Sequence, residues 1–462
     1  VRSLRFVSHL YYLLALLAVL WLTWYVRDVP LEPALFAGQL RVDSLSTFFA
    51  LLTLLLALVQ SVLSLRSVWP TLLLTLCLAG AYATSNLLLV AAGYLLATLI
   101  EVVGGRLPRS VPLAPRAIWL LLPVVCFAVA VAGLQTQAGT WHYQASLAGV
   151  GLSSFVFWFV LLATILGSAV HVYAHVLTSG ITSGPHTYTL AGICLALAWC
   201  YPLVRLYSLG PWNAGWHAAT LLLGGALALW TVCRALVAPI TMRTHWLLSS
   251  QLGVALIGLG MGTSAGIVAG CYALMLVPLL LAGLAFPAPS QTQAVVPSPV
   301  TLSWALWLLS PALPLTAPFV SFWMGIGAAA AGRMFLLVGI LWVTGLLCTL
   351  TIVQCPRPLL SAVPGRSGRT VVWVAGISVA LGVTAPIVVW MFIRPIVQQL
   401  QGGLTPFGDI ALWPWGGLIA LNAARQPVAT LPSLTLLLLM LVLGALAWLL
   451  LRLQSMMDNR CG

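Results

Sequence analysis

Two histidines four residues apart, His171 and His175, with His186 just beyond, form the densest group of histidines in the sequence. A spacing of four puts both imidazoles on one face of a helix. Histidine changes charge near pH 6.5, so the group is suited to relaying protons. Two imidazoles also begin a metal site, but no acidic or thiol ligand accompanies them. In a third reading they satisfy backbone groups freed by a helix break, since Gly180, Gly184 and Pro185 follow directly. Glu101 is the next candidate. A carboxylate in an apolar run is costly in a membrane and is retained for use. Beside Gly104, Gly105 and Arg106 it also reads as an interfacial side chain snorkelling toward arginine. Asp43 precedes Ser44 and Leu45, where it or the serine caps a helix without further chemistry.

The elements that carry these residues are set by lipid. The composition is 62% hydrophobic and 5% charged, with a mean hydropathy of +1.10, whereas soluble domains carry about 25% charged residues. Apolar runs of roughly the 20 residues that cross a bilayer recur from end to end. Backbone groups in lipid must be satisfied within the segment, and these runs are too long and too uniform for barrel strands. The expected fold is therefore all-α, a polytopic membrane protein of about fourteen transmembrane helices. Breaks at Pro, Gly and Arg place the spans at 8 to 26, 44 to 64, 69 to 84, 86 to 104, 115 to 134, 146 to 176 and 187 to 207. The others are 218 to 238, 245 to 261, 264 to 285, 301 to 331, 334 to 355, 370 to 397 and 432 to 453. The first apolar run is followed by Arg27 and Asp28 rather than by a small-residue cleavage site, so it reads as a span and not a signal peptide.

All nineteen basic residues are arginine, which excludes any lysine-based mechanism. The formal charge of +13 comes from single arginines at helix ends rather than a basic run, so no nucleic-acid partner is expected. Arg2, Arg5, Arg66, Arg106, Arg109, Arg116, Arg234, Arg243, Arg357, Arg366, Arg369, Arg452 and Arg460 fall on one side of the predicted membrane. The positive-inside rule makes that side cytoplasmic, with both termini there. The nine cysteines show no paired spacing and most lie in apolar spans, where Cys acts as a small hydrophobe. No phosphate-binding loop, nucleophile elbow or dinucleotide fingerprint is present, so no cofactor is expected in this chain. Trp21, Trp24, Trp69, Trp413 and Trp415 lie at predicted interfaces and read as headgroup-level anchors. Gly224, Gly225, Gly260 and Gly262 permit close helix packing.

Two predicted spans are long and interrupted: 146 to 176, and 301 to 331 with Pro311, Pro314 and Pro318. Each is the fourth element of a five-span block, 69 to 207 and 218 to 355, between N-terminal spans (1 to 68) and C-terminal spans (356 to 462). Paired blocks with corresponding broken helices are the pattern of inverted-repeat transporters.

Four segments, in order, carry a resemblance to a known family: Val42 to Phe49 (VDSLSTFF), Ser85 to Tyr94 (SNLLLVAAGY), Ser249 to Gly253 (SSQLG) with Arg243 near a basic position, and Ser310 to Phe322 (SPALPLTAPFVSF). They resemble the antiporter-like membrane subunits of respiratory complex I, multisubunit cation/proton antiporters and membrane-bound hydrogenases. The resemblance implies two inverted five-helix repeats, each with a broken helix, and a place among other membrane subunits of a redox complex. It also implies proton carriers: a glutamate, two broken-helix lysines and a His-x-x-x-His-x-x-x-Lys series. Here these fall on Leu95 for the glutamate, near Gly167 or Ser168 and on Phe322 for the lysines, and on Ala269, Ala273 and Val277 for the series. Every carrier is lost. Glu101 does not replace Leu95, being about 240° further round the helix.

The expectation is an antiporter-like subunit of a complex I-type, redox-driven proton-translocating assembly in a prokaryotic plasma membrane, with a degenerate channel and a structural or docking role. One alternative is residual translocation through Glu101, His171, His175, His186 and Arg243. Another is a membrane component of a stand-alone or inorganic-carbon transporter, against which the near absence of buried charge argues. A lipid-linked-sugar transferase would need a large soluble domain or acidic loops, and the sequence has neither.

Overall fold

The computed structural model describes residues 2–32, 39–63, 68–104, 113–139, 141–142, 152–179, 190–238, 240–284, 308–353, 366–405, 408–413, 417–433, 435 and 438. Helices α1 (Arg2–Tyr25), α2 (Ser44–Leu63), α3 (Val68–Tyr82), α4 (Leu87–Gly104), α5 (Leu113–Ala138) and α6 (Ser154–Ser179) each pack against the next or the preceding one. The chain continues through α7 (Leu190–Ala198), α8 (Cys200–Arg205), α9 (Ala214–Val237), α10 (Ile240–Gly260) and α11 (Ser264–Leu284). After these come α12 (Ala317–Ala331), α13 (Phe335–Val353) and α14 (Arg366–Val383). A bent continuation holds α15 (Ala385–Val388), a π-helical turn (Val389–Ile393) and α16 (Arg394–Leu400).

Among the described residues, four helices are long and apolar enough to cross a membrane: Leu120–Ala138, Ala214–Val237, Ser264–Ala282 and Phe335–Val353. Trp373–Val383 with Ala385–Gly403, bent by 69°, makes a fifth, and seven shorter apolar helices surround them. Segment 432 to 453 lies largely outside the described residues.

The helices pack closely where side chains vanish. A Cβ on Gly253 would lie 2.5 Å from the backbone nitrogen of Ala228, and one on Gly258 would lie 2.5 Å from that of Gly270. These glycines let α10 lie directly on α9 and α11, the contact that small residues make possible in membranes. Gly224 and Gly260, expected to pack closely, do so against Ile257 and Thr220.

Two features depart from the sequence reading. The all-α expectation omits a three-stranded antiparallel sheet, β1 (Asp409–Trp413), β2 (Gly417–Leu421) and β3 (Pro427–Leu431), in the order β1-β2-β3. Its inner residues Ile410, Leu418, Ala420 and Leu431 are buried against the ends of α11 and α12. Strands of five residues are far shorter than a membrane-crossing run, which is why a search for spans passes over them. The other is a helix break at Trp199, between α7 and α8, that the sequence reading did not place; of segment 146 to 176 the described part is helical from Ser154, and residues 146–151 and 180–189, where its interruption is expected, lie outside the described residues. Pro202 is the cause: it has no N–H for the carbonyl of Ala198. The Tyr94 hydroxyl donates to that carbonyl instead, at 2.6 Å, and Thr164 donates to the carbonyl of Trp199 at 3.0 Å.

The interruption expected in 301 to 331 is present in its described part. Residues Leu308 to Thr316 form turns before α12 begins, and Leu315 has a φ of +68°. Non-helical backbone inside an apolar bundle must find donors. Ser378 on α14 donates to Leu308 O at 2.9 Å, and Thr316 donates to Leu313 O at 2.8 Å.

Candidate functional site

The most heavily bonded charged cluster among the described residues joins the start of α2 to the end of α8. Asp43 caps α2: its Oδ1 accepts from the Ser46 backbone N–H and from the Ser46 hydroxyl, both at 2.9 Å. The cap follows from an Asp placed just before the helix, whose unsatisfied N–H groups favour an anion. The same carboxylate takes a second partner from 162 residues further along the chain. Arg205 Nη1 donates to Asp43 Oδ2 at 2.6 Å, and Arg205 Nη2 donates to Oδ1 at 3.0 Å. Nη2 also donates to the Ser46 hydroxyl at 3.1 Å and the Tyr201 hydroxyl at 2.8 Å. Asp43 is 2% and Arg205 5% exposed. This is a bidentate, charge-assisted pair with its remaining hydrogen-bonding capacity used, which is what lets a buried ion pair persist.

Sequence reasoning recognised the cap and missed the pair. A signal existed: Arg205 lies within a predicted span, where a charge requires a partner. The chain has only six acidic residues, and apart from Asp43 only Glu101 falls in or at a predicted apolar run.

Around this pair the first block is closed by aromatic rings. Tyr82 lies 4.9 Å from Tyr201, and Phe49 lies 5.4 Å from Tyr201, centroid to centroid. Deeper in the bundle, Tyr94 and Phe127 lie 4.5 Å and 6.1 Å from Trp199. The Trp199 indole sits directly on Gly167, where a Cβ would fall 2.1 Å from the ring. This is one of the two positions at which the resemblance expected the lysine of the first broken helix. The neighbouring Ser168 hydroxyl donates to Ala196 O at 3.4 Å. Tryptophan thus fills the volume that a long side chain from Gly167 would need.

The second block is apolar along the expected carrier line. Ala269, Ala273 and Val277 lie on the buried side of α11 at 3%, 0% and 0% exposure, and Phe322 on α12 is buried against Gly345. Gln251 crosses this region, donating to Ala273 O and the Ser321 hydroxyl, both at 3.3 Å. Leu95 projects outward from α4 at 40% exposure, whereas Glu101 on the same helix is buried at 4%. The opposed orientations agree with their angular separation. The Glu101 carboxyl faces the bundle, within electrostatic reach of Cys194 on α7. Its expected neighbour Arg106 lies outside the described residues.

Of the remaining candidates, only Arg243 has a described side chain. His171 and His175 lie on the helical backbone of α6, their side chains outside the described residues, as is all of His186. Arg243 is engaged at a helix end, its Nε donating to Ala238 O at 3.0 Å, the carbonyl just past α9. A cation there complements the negative end of the helix.

No protein-family model and no curated protein matches the sequence. Solved structures do match. A chain of the membrane-bound sulfane sulfur reductase, an archaeal respiratory membrane complex, is 16% identical with a TM-score of 0.73, covering 96% of this chain and 79% of that chain. A chain of the Mrp complex from Dietzia sp. DQ12-45-1b is also 16% identical, with a TM-score of 0.69 over 86% of this chain and 93% of that one. A chain of respiratory complex I from Thermus thermophilus is 17% identical, with a TM-score of 0.66 over 86% of this chain and 95% of that one. Over 86% to 96% of its length, then, this protein shares the fold of chains from two respiratory complexes and an Mrp complex.

Proposed function

We propose that the protein is an antiporter-like membrane subunit of a complex I-type, redox-driven proton-translocating assembly, and that it serves there as a structural or docking element with a degenerate channel. The observation that carries the reading is the seating of Trp199 on Gly167, together with the buried apolar line of Ala269, Ala273 and Val277 on α11. A proton path needs titratable groups or water along the bundle interior, and at these positions the interior is filled by hydrocarbon and indole. The redox centres belong to other chains of the assembly. The arginine distribution supports both termini being cytoplasmic, and the membrane of this proposal is a prokaryotic plasma membrane.

One observation favours a second reading: Glu101 is a buried carboxylate facing the first block. On that reading protons pass by Glu101, His171, His175 and His186. Purification of the native chain in a mild detergent, with identification of everything that co-elutes, tests the assembly. Quinone-reducing or hydrogenase-like subunits are expected, and elution alone as a stable homo-oligomer would favour a separate carrier. Proton translocation per electron pair in the intact assembly tests the channel. Glu101→Gln combined with His171→Ala and His175→Ala is expected to leave that ratio unchanged. A fall in the ratio with assembly intact would establish the rerouted path instead.

A further inference from the structure

Arg27 lies two residues beyond α1, at the end of the bundle that also holds Asp43. Its guanidinium carbon is 3.9 Å from the ring centroid of Trp390 and 5.7 Å from that of Trp24. The two indoles are 6.4 Å apart at an interplanar angle of 61°. Trp390 is carried by the π-helical turn Val389–Ile393, a distortion often found at functional sites. A guanidinium this close to an indole centroid is held by attraction to the ring face. Arg27 forms no ion pair and no side-chain hydrogen bond among the described residues, although Asp28 is its chain neighbour. Arg41, nearby in sequence, is by contrast paired with Glu32 at 3.1 Å.

The surroundings identify the ligand chemistry. Trp24 is 54% exposed and Trp21 67%, as expected of side chains at the headgroup level. Below them Leu10, Leu13, Leu14 and Leu17 form an exposed apolar face on α1. A planar cation at the headgroup level, above an apolar helix face, matches a lipid with a phosphate above its acyl chains. We propose that Arg27, held between Trp24 and Trp390, binds the phosphate of an anionic phospholipid whose acyl chains lie along α1.

The test uses the full chain in detergent, with thermal unfolding followed as phosphatidylglycerol or phosphatidylcholine is titrated in. Phosphatidylglycerol is expected to raise the midpoint more than phosphatidylcholine. In Arg27→Gln and Trp390→Leu the apparent affinity for phosphatidylglycerol is expected to fall about fivefold, the worth of one interfacial arginine. Arg41→Gln is expected to retain it. Arg27→Lys, which keeps the charge and loses the planar guanidinium, is expected to fall between wild type and Arg27→Gln, and it carries the test if Arg27→Gln does not fold. An unchanged preference for phosphatidylglycerol in Arg27→Gln, or an equal response to inorganic phosphate alone, would overturn the lipid assignment.

Discussion

Replacing Arg205 by methionine is expected to cost roughly 3–5 kcal/mol of stability, enough to remove most folded chain from the membrane. The substitution keeps the length of the side chain and deletes both bonds to Asp43, leaving a carboxylate that is 2% exposed without its cation. The cost arises from that stranded charge more than from the attraction lost. The double variant Asp43→Ser with Arg205→Met is therefore expected to recover much of the loss, because serine keeps the helix cap while no charge remains buried. Thermal unfolding of the two single variants and the double variant, arranged as a double-mutant cycle, measures the coupling. Additive losses would show that the pair does not act as a unit and would remove Asp43 and Arg205 from the centre of this fold.

Gly382→Ala is expected to be the most damaging single-methyl change on α14. A Cβ there would lie 2.0 Å from Leu315 O and 2.6 Å from Leu315 C, backbone atoms that cannot move aside as a side chain would. Leu315 itself has a φ of +68°, a region costly for residues other than glycine, so the turn before α12 has little freedom to yield. The expected loss is about 3 kcal/mol, at the upper end of the usual range for overpacking. Gly376, on the same helix, provides the comparison. Nothing lies within 4 Å of its Cβ position, so Gly376→Ala is expected to be neutral or to stabilise by up to about 1 kcal/mol through helix propensity. Unfolding midpoints in detergent decide the matter. Equal shifts in the two variants would mean that α14 does not lock against the interrupted segment as the structure indicates.

The two predictions concern the same physical situation, polar or non-helical backbone inside an apolar bundle. In lipid such backbone persists only where side chains satisfy it, and here the donors come from far along the chain. Tyr94 supplies Ala198 across 104 residues, and Ser378 supplies Leu308 across 70. Tyr94, Thr164 and Ser378 therefore serve as partners of interrupted helices.

By itself the sequence determined the solvent, the dominance of helix and the likeness to antiporter-like subunits. Each follows from local properties: apolar runs long enough to cross hydrocarbon, scarce charge, and four short segments in a fixed order. It also showed the Asp43 cap, which depends only on neighbouring residues, and apolar side chains at Leu95, Ala269, Ala273, Val277 and Phe322, where the resemblance implies titratable groups. Tertiary structure alone decided the rest. Whether a proline breaks its helix depends on what donates to the freed carbonyl, so a break that local sequence did not place appears at Trp199, where Tyr94 and Thr164 provide donors. Glu101 reads as interfacial from its neighbours in sequence and is buried because of how α4 packs against α7. The sheet over α11 and α12 escapes a search for spans because its strands are short. The Asp43–Arg205 pair joins residues 162 positions apart, and no local pattern encodes that distance; only the folded bundle brings the two charges together and excludes water from both.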